Sequence, residues 1–211
     1  MELTGTPADI VLLDRTAVLE SVRVVDEARP GDWLRPTPCD RWTLRELVAH
    51  MAAQHHGFAA ASRGGGAAAA AWRTQDLGDD PAAAYRTAAA AVLDAFADPG
   101  LPGRPFALPE ISARPVPALR AVGFHFIDYV VHAWDVAATL GLPVRLPERV
   151  LREALPIARA VPEGDVRRAP GAAFRPALRP DTGTRPDGPG TMPLILAALG
   201  RSPDWTPPGK R

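Results

Sequence analysis

Residues 118–140 constrain the fold of this chain most strongly, because they predict a long helix that carries polar groups on an apolar surface. These groups are spaced three, four and three residues apart: His125, Asp128, His132 and Asp135. On a helix, such spacing places them on one face, one turn after another. Aromatic and aliphatic residues flank them, so we expect this face to point into a bundle of helices. A buried carboxylate or imidazole must be paired, hydrogen-bonded or bound to metal, which predicts a polar site inside the bundle.

Three further helices are predicted ahead of this one. Residues 9–28 place valines on one side with charges between them, as expected of an amphipathic helix. Thr43 and Glu46 fit a capping box, which predicts the start of a helix over 43–61. Residues 81–97 begin with a proline, which suits the first turn of a third helix. Four helices in this order predict an all-α four-helix bundle.

The connection between the third and fourth helices is unusually long. Residues 101–117 are rich in proline, so we expect an extended crossover there, and a loop of this length in a compact domain is often functional. We expect two parts in the chain: a helical bundle with the metal site over residues 1–145, and a short C-terminal extension packing on the bundle over residues 146–211.

The tail has a different character from the bundle. It is predicted to hold a fifth helix over 147–160 and a last short helix over 192–199. Between them, residues 164–190 are rich in proline, glycine and arginine, which favours irregular structure. Strand alternation is not evident, although residues 173–178 could form a short extended piece.

Composition narrows the classes of partner. Lysine plus arginine and aspartate plus glutamate number 24 each, so the chain lacks the basic excess that favours nucleic acid or an anionic membrane. No apolar run reaches membrane-spanning length, and the first residues lack a signal-peptide pattern. Cys39 is the single cysteine, so no intrachain disulfide can form. We therefore expect a cytoplasmic monomer or homodimer that acts on a small molecule and binds neither nucleic acid nor membrane.

A metal site is the leading interpretation of the polar face. Asp128 and His132, one turn apart, can converge on one ion, and His50 lies mid-helix in an apolar stretch that can supply a third ligand. Two histidines and one carboxylate suit zinc and leave a coordination position open, as in catalytic sites. Ni²⁺ or another first-row divalent metal is the alternative ion. Plainer interpretations also stand: His50 as a core histidine, and Asp128 with His132 as a hydrogen-bonded pair.

Three other polar residues are candidates for contacts around this site. Gln54 lies one turn after His50 and could contact substrate. His125 could be an extra ligand or a polar residue at the mouth of the site. Asp135 could hold a ligand histidine through its other ring nitrogen, or form a hydrogen bond to another helix.

The remaining histidines and the cysteine are given structural roles. His55 and His56 point away from His50 on the helix, so we expect them at the surface or the rim. Cys39 is expected to be a buried structural residue. No general acid or base can be assigned, so the catalytic residues stay unknown.

Three segments carry a resemblance to a known family. Residues 37–50, Thr-Pro-Cys-Asp-Arg-Trp-Thr-Leu-Arg-Glu-Leu-Val-Ala-His, resemble the opening motif of the mycothiol-dependent maleylpyruvate isomerase family. Residues 128–137 resemble its second motif, in which a carboxylate precedes His-x-Trp-Asp by four residues. Residues 196–205 are similar to the closing signature of its short-tailed members. The family belongs to the DinB-like superfamily of metal-binding four-helix bundles, so the resemblance implies that fold.

The resemblance also implies a function. It implies that His50, Asp128 and His132 bind a metal, usually zinc, and that mycothiol is the thiol cosubstrate. The reaction would be isomerisation or S-transfer on a small electrophilic molecule. Two departures leave the substrate open: the isomerase has Glu in place of Asp128, and it carries a larger α/β C-terminal domain. A metal-dependent hydrolase, a metal-binding or ligand-sensing bundle without turnover, and a metal-free structural bundle are the alternatives.

Overall fold

The computed structural model describes residues 7–39, 42–169, 173–179 and 190–207. Within these residues it contains six α-helices: α1 Pro7–Val25, α2 Leu44–Ser62, α3 Pro81–Phe96, α4 Ala118–Leu140, α5 Glu148–Ala160 and α6 Thr191–Ala198. The expectation of an all-α chain is confirmed. None of the described helices is long and apolar enough to cross a membrane.

The helix ends follow from local chemistry. The capping box at the start of α2 is present, because Thr43 Oγ1 accepts a hydrogen bond from the Glu46 amide and Glu46 Oε2 accepts one from the Thr43 amide. Helix α4 stops at Gly141, which adopts a left-handed conformation with φ 73°. Glycine takes this conformation without the penalty that a Cβ atom imposes.

The first four helices form a bundle around one apolar core. α1 packs along α4, and α2 packs along α3, while α1 and α3 also touch. The backbones of α2 and α4 approach each other less extensively than either of these pairs. The polar side chains discussed below fill the space between α2 and α4.

The crossover between α3 and α4 holds a short ladder that the sequence did not predict. Strand β1, Pro105–Phe106, pairs antiparallel with β2, Val116–Pro117. Phe106 and Val116 are both buried, which explains why the two ends of the loop are drawn together. Proline has no amide hydrogen to donate to a ladder, so each strand stays two residues long.

The tail folds against the bundle through its helices. α5 packs on α4, and α6 packs on α5. Residues 173–179 form no strand, although the Leu178 amide donates a hydrogen bond to the Ala197 carbonyl at 2.8 Å. The other irregular residues expected in this part of the chain, 170–172 and 180–189, lie outside the described residues. The division at residues 145 and 146 stays a prediction.

Candidate metal centre

Three side chains with metal-ligand chemistry meet between α2 and α4. His50 projects from α2, and Asp128 and His132 project from α4, with one ligand atom of each within 4.8 Å of the other two. The Nε2 atom of His132 lies 3.5 Å from Oδ1 of Asp128. His132 is buried, whereas His50 and Asp128 are partly exposed, so the group opens to solvent on their side. The structure thus brings together the three residues that the sequence singled out.

The spacing suits a tetrahedral ion. Zinc binds imidazole nitrogen and carboxylate oxygen at about 2.0–2.2 Å, which places two ligand atoms of one ion about 3.4 Å apart. The separation of 3.5 Å between His132 and Asp128 is close to that edge, and it is long for a hydrogen bond. The pair is therefore better spaced as two ligands of one ion than as a hydrogen-bonded pair. The donor set of two histidines and one carboxylate fits zinc or another first-row divalent metal.

The second ring nitrogen of His132, Nδ1, is held by a hydrogen bond to a buried carboxylate. Its Nδ1 atom lies 2.9 Å from Oδ2 of Asp135, one turn further along α4. Asp135 in turn accepts hydrogen bonds from Arg201, with Nε 3.1 Å from Oδ1 and Nη2 3.3 Å from Oδ2. Arg201 also donates to Cys39 Sγ at 3.1 Å. Because the Asp135 carboxylate accepts from Nδ1–H, Nε2 is the ring nitrogen that faces Asp128.

The titration behaviour of the group follows from burial and charge. Burial lowers the pKa of His50 to about 4, helped by His132 and opposed by Asp128, so this ring is neutral at pH 7. Burial also disfavours the charged form of His132, but the Asp128 and Asp135 carboxylates outweigh it and the pKa is raised. For Asp135, burial is outweighed by Arg201 and His132, so its pKa is lowered and it stays ionised.

Aromatic rings enclose the histidines. The Trp42 ring lies against the His50 ring with a centroid distance of 4.5 Å. The His50 ring meets the edge of the His132 ring at 5.7 Å, with the planes 80° apart. Both contacts restrict the rotation of His50 about its side-chain bonds, so its nitrogen stays directed at α4.

Gln54 lies beside a cleft next to the group. This partly buried residue follows His50 by one turn of α2 and lines a shallow open cleft with Phe58, Trp72 and the crossover residues Leu108, Pro109, Glu110 and Ile111. The Trp72 ring lies directly on the backbone of Gly57, where a Cβ atom would come within 2.1 Å of it. The cleft therefore depends on a glycine in α2. A substrate contact for Gln54 stays a prediction.

Two expectations about histidines need correction. His125 is not at the mouth of the metal group: it is fully buried, with Nδ1 2.6 Å from Asp14 and Nε2 3.1 Å from His55. His55 is also fully buried, so its expected surface position is wrong. The His55 ring is covered by Tyr85 on α3 and by His125 and Tyr129 on α4, which the helical spacing alone does not reveal. His56 is exposed, as expected.

Two buried residues that support the α4 histidines were not expected from the sequence: Asp14 contacts His125 directly, and Arg201 holds Asp135, the partner of His132. Arg201 comes from the far end of the chain, and its only signal was a position within residues 196–205, which resemble the family's closing signature. Asp14, on α1, read as one of several charges between apolar positions. Both are buried, at 3% and 0% exposure. A buried charge needs a partner, but the sequence does not show which charges are buried.

Comparisons with known proteins agree with this architecture. Four helices packed around one core, with a polar site on facing helices, are typical of the four-helix bundles that bind metals or cofactors. Residues 15–137 match the family described as mycothiol maleylpyruvate isomerase N-terminal domain. Two uncharacterized proteins of Mycobacterium tuberculosis, MT0763 and Rv0738, are each 32% identical over 144 residues, covering 66% of this chain and 71% of the relative. This chain therefore belongs to the mycothiol maleylpyruvate isomerase N-terminal domain family.

Solved structures show the same fold over nearly the whole chain. The crystal structure of the mycothiol-dependent maleylpyruvate isomerase aligns with a TM-score of 0.63 at 15% identity, covering 95% of this chain and 91% of that one. A histidine-to-alanine mutant of that isomerase aligns with a TM-score of 0.65 at 16% identity, covering 94% and 90%. These alignments confirm the expected DinB-like bundle. They also span most of the tail and 91% of the isomerase chain, so the expectation that the isomerase carries a larger C-terminal domain than this chain is wrong.

Proposed function

We propose that this chain is a metal-dependent enzyme that uses a thiol cosubstrate, mycothiol. It would isomerise a small electrophilic molecule or transfer the thiol to it through an S-transferase reaction. His50, Asp128 and His132 would hold the metal, with zinc the first expectation. The observation that carries the proposal is the 3.5 Å spacing of His132 Nε2 and Asp128 Oδ1, with His50 beside them. Membership of the mycothiol maleylpyruvate isomerase N-terminal domain family supports the thiol and the reaction class.

The residues of the chain have separate tasks in this proposal. Asp135 is held by Arg201 and accepts a hydrogen bond from Nδ1–H of His132. This hydrogen bond directs the Nε2 lone pair of His132 at the metal position. Burial keeps His50 neutral and able to donate its lone pair. Asp128, whose side chain is 20% exposed, lies on the open side where a cosubstrate can approach. Three protein ligands leave the remaining coordination position to that cosubstrate.

A bound zinc ion supplies Lewis-acid chemistry, which lowers the pKa of a coordinated thiol and makes the sulfur a nucleophile near neutral pH. In an isomerisation, the thiolate adds to an activated cis double bond, rotation about the resulting single bond follows, and the thiolate leaves again. The thiol is therefore regenerated and no atom is gained or lost. In an S-transfer, the thiolate stays on the electrophile and a leaving group or a proton balances the step.

A thiol titration of the cobalt-loaded protein tests this function. We expect mycothiol to change the visible absorption of the bound Co²⁺, since a sulfur ligand alters both its charge-transfer and its d–d bands. The His50→Ala variant should lose the cobalt spectrum. The His56→Ala variant, with an exposed histidine removed from the same helix, should behave as the wild type.

Turnover is then measured with mycothiol and with maleylpyruvate or another activated electrophile. Isomerised substrate or a thioether product supports the proposal. If no thiol changes the spectrum of the cobalt-loaded protein and the protein hydrolyses activated esters, the function is that of a metal-dependent hydrolase instead. A loaded protein that binds thiol but turns over no electrophile would instead be a binding or sensing bundle.

A further inference from the structure

The proposed metal centre lies between two helices whose backbones come close over only a short stretch. His50 belongs to α2, and the other two ligands belong to α4, but these two helices share fewer close backbone approaches than α1 with α4 or α2 with α3. Zinc ligands must lie within a few tenths of an ångström of their bond length. Something other than backbone packing must therefore hold α2 and α4 at the correct separation.

A buried chain of hydrogen bonds crosses this interface below the metal ligands. His55 Nδ1 on α2 lies 3.1 Å from His125 Nε2 on α4. At the far side of His125, Nδ1 lies 2.6 Å from Asp14 Oδ1 on α1. At the far side of His55, Nε2 lies 3.3 Å from the Tyr85 hydroxyl on α3, which lies 2.6 Å from Ser21 Oγ. All five side chains are fully buried, and the chain includes residues of all four bundle helices.

The direction of these hydrogen bonds is determined by Ser21, at one end of the chain of hydrogen bonds. Ser21 donates its proton to the Val18 carbonyl, so it accepts from Tyr85, and Tyr85 then accepts from His55 Nε2–H. Burial, with His125 and His56 nearby, lowers the pKa of His55 well below its usual value, so the ring is neutral. Nδ1 of His55 therefore accepts from Nε2–H of His125, so the His55 ring has one defined tautomer.

A second polar tie, meaning a hydrogen bond that joins α2 to α4, lies between the chain of hydrogen bonds and the metal ligands. The Tyr129 hydroxyl, from α4, donates a hydrogen bond to the Met51 carbonyl of α2. The Tyr129 ring stacks on the His55 ring at a centroid distance of 4.1 Å, with the planes 9° apart. It also lies 4.2 Å from the His125 ring. Tyr129 and Met51 directly follow the ligands Asp128 and His50, so this tie lies immediately beside the metal group.

The two α4 histidines are built alike. His125 and His132 are seven residues apart on one face, and each has its Nδ1 atom held by a buried carboxylate, from Asp14 and Asp135 respectively. Each presents Nε2 towards the space between α4 and α2. His132 meets the metal ligands there, whereas His125 meets His55. His125 is thus joined to α2 by a direct hydrogen bond, whereas His132 would be joined to α2 through the shared metal.

We propose that His55, His125 and Tyr129 are positioning residues that set the separation of α2 and α4, and through it the affinity and geometry of the metal centre. The proposal rests on the metal centre described under the proposed function. None of the three side chains is exposed, so they act on the ligands through the helices and not on substrate. Residues that orient metal ligands are typically worth a factor of about 10 to 100 in metal affinity.

Two matched double variants test this inference. His55→Phe with Tyr129→Phe removes both polar ties between α2 and α4 while keeping the ring packing. Ser21→Ala with Tyr85→Phe removes two buried hydroxyls from the same hydrogen-bonded chain but keeps both ties, because the His55–His125 hydrogen bond can form with either ring as the donor. Zinc affinity is measured on the full chain by competition with a chromophoric chelator, and the spectrum of bound Co²⁺ reports the coordination geometry. Thermal unfolding is recorded alongside.

We expect the first variant to bind zinc about 10-fold to 100-fold more weakly than the wild type and to show an altered cobalt spectrum. The Ser21/Tyr85 variant should lose similar thermal stability but keep zinc affinity within about threefold, since its substitutions are independent of the ligand helices' separation. Equal zinc affinity in the two variants would overturn the inference, because general loosening of the core would then explain both.

The result also separates this inference from the metal centre itself. A folded wild type that binds no zinc would reject the metal centre and the positioning role together. A wild type that binds zinc, with a His55/Tyr129 variant that binds it as well, would reject the positioning role alone. If that double variant does not fold, Tyr129→Phe is compared with Tyr85→Phe, and unchanged zinc affinity in Tyr129→Phe again overturns the inference.

Discussion

Replacing Asp135 by Asn tests how the metal ligand His132 is oriented. Arg201 carries only hydrogen-bond donors, and its Nε atom lies closest to Oδ1 of Asp135, at 3.1 Å. We expect the asparagine oxygen to keep this shortest contact from the Oδ1 position, at the cost of the longer Nη2 contact at the Oδ2 position. Its NH₂ group then takes the Oδ2 position, 2.9 Å from His132 Nδ1 in the wild type. The amide would donate to Nδ1, which forces the ring proton onto Nε2 and removes the lone pair aimed at the metal.

The expected size of this effect follows from the position of Asp135 behind the ligand. Loss of a hydrogen bond that orients a metal-binding histidine costs about 10-fold to 100-fold in affinity, or about 1.4–2.8 kcal/mol. Folding stability should also fall, by about 3 kcal/mol, because the buried Arg201 loses its ionised partner. Zinc affinity is measured by chelator competition at a temperature at which the variant is folded.

A second substitution makes this prediction refutable. In the Asp135→Asn background, Arg201→Met removes the donors that force the amide orientation, so the asparagine oxygen can turn to His132 and restore its tautomer. We expect the double variant to recover most of the lost zinc affinity. Wild-type affinity in Asp135→Asn, or an equal loss in the single and double variants, would show that Arg201 and Asp135 do not control the tautomer of His132.

Three further outcomes follow from the structure. Gly57→Ala should lower the free energy of unfolding by about 1–3 kcal/mol, because its Cβ would clash with Trp72, whereas Gly123→Ala has room and should be neutral or slightly stabilising; chemical denaturation compares them. Thr43→Ala should cost about 1 kcal/mol in the same assay through loss of the α2 cap. The wild type should lose its stability advantage over His55→Phe as the pH falls below about 6.5, by up to about 1.4 kcal/mol per pH unit. The reason is that His55 binds a proton in the unfolded chain, whereas burial keeps it neutral in the folded protein. An advantage independent of pH would mean that burial does not lower the pKa of His55.

The sign of that pH effect depends on His55 and on the groups around it. Its pKa is lowered on folding, so its contribution to stability is present above the unfolded value and is lost as the pH falls. The neighbouring Asp14 acts in the opposite direction, since burial raises its pKa even though His125 lowers it. Comparing the wild type with His55→Phe isolates the histidine, because Asp14, His125 and Tyr85 are present in both proteins.

The sequence predicted the helices and one face of the site, for physical reasons that are local. Helical spacing alone places Asp128, His132 and Asp135 on one side of α4, and the contact between His132 and Asp135 lies within one turn. Helical spacing does not specify which histidine of α2 faces them. His50 depended on the family resemblance, and the surface position expected for His55 was wrong.

The remaining partners could not be predicted because they join distant parts of the chain. Asp14 contacts His125 across 111 residues, and Arg201 contacts Asp135 across 66. Such pairings depend on how α1 and the tail pack on α4, which no local pattern in this sequence specifies. The short ladder of Phe106 and Val116 was missed for the same reason, since prolines on either side suggested only an extended loop.

The most direct test of the metal centre is a crystal structure of the zinc-incubated protein with data collected on both sides of the zinc absorption edge. The account predicts one strong anomalous peak between α2 and α4, within about 2.0–2.2 Å of His132 Nε2, an Asp128 oxygen and a His50 nitrogen. A well-ordered protein with no peak at this position, or with zinc bound only at other residues, would contradict it.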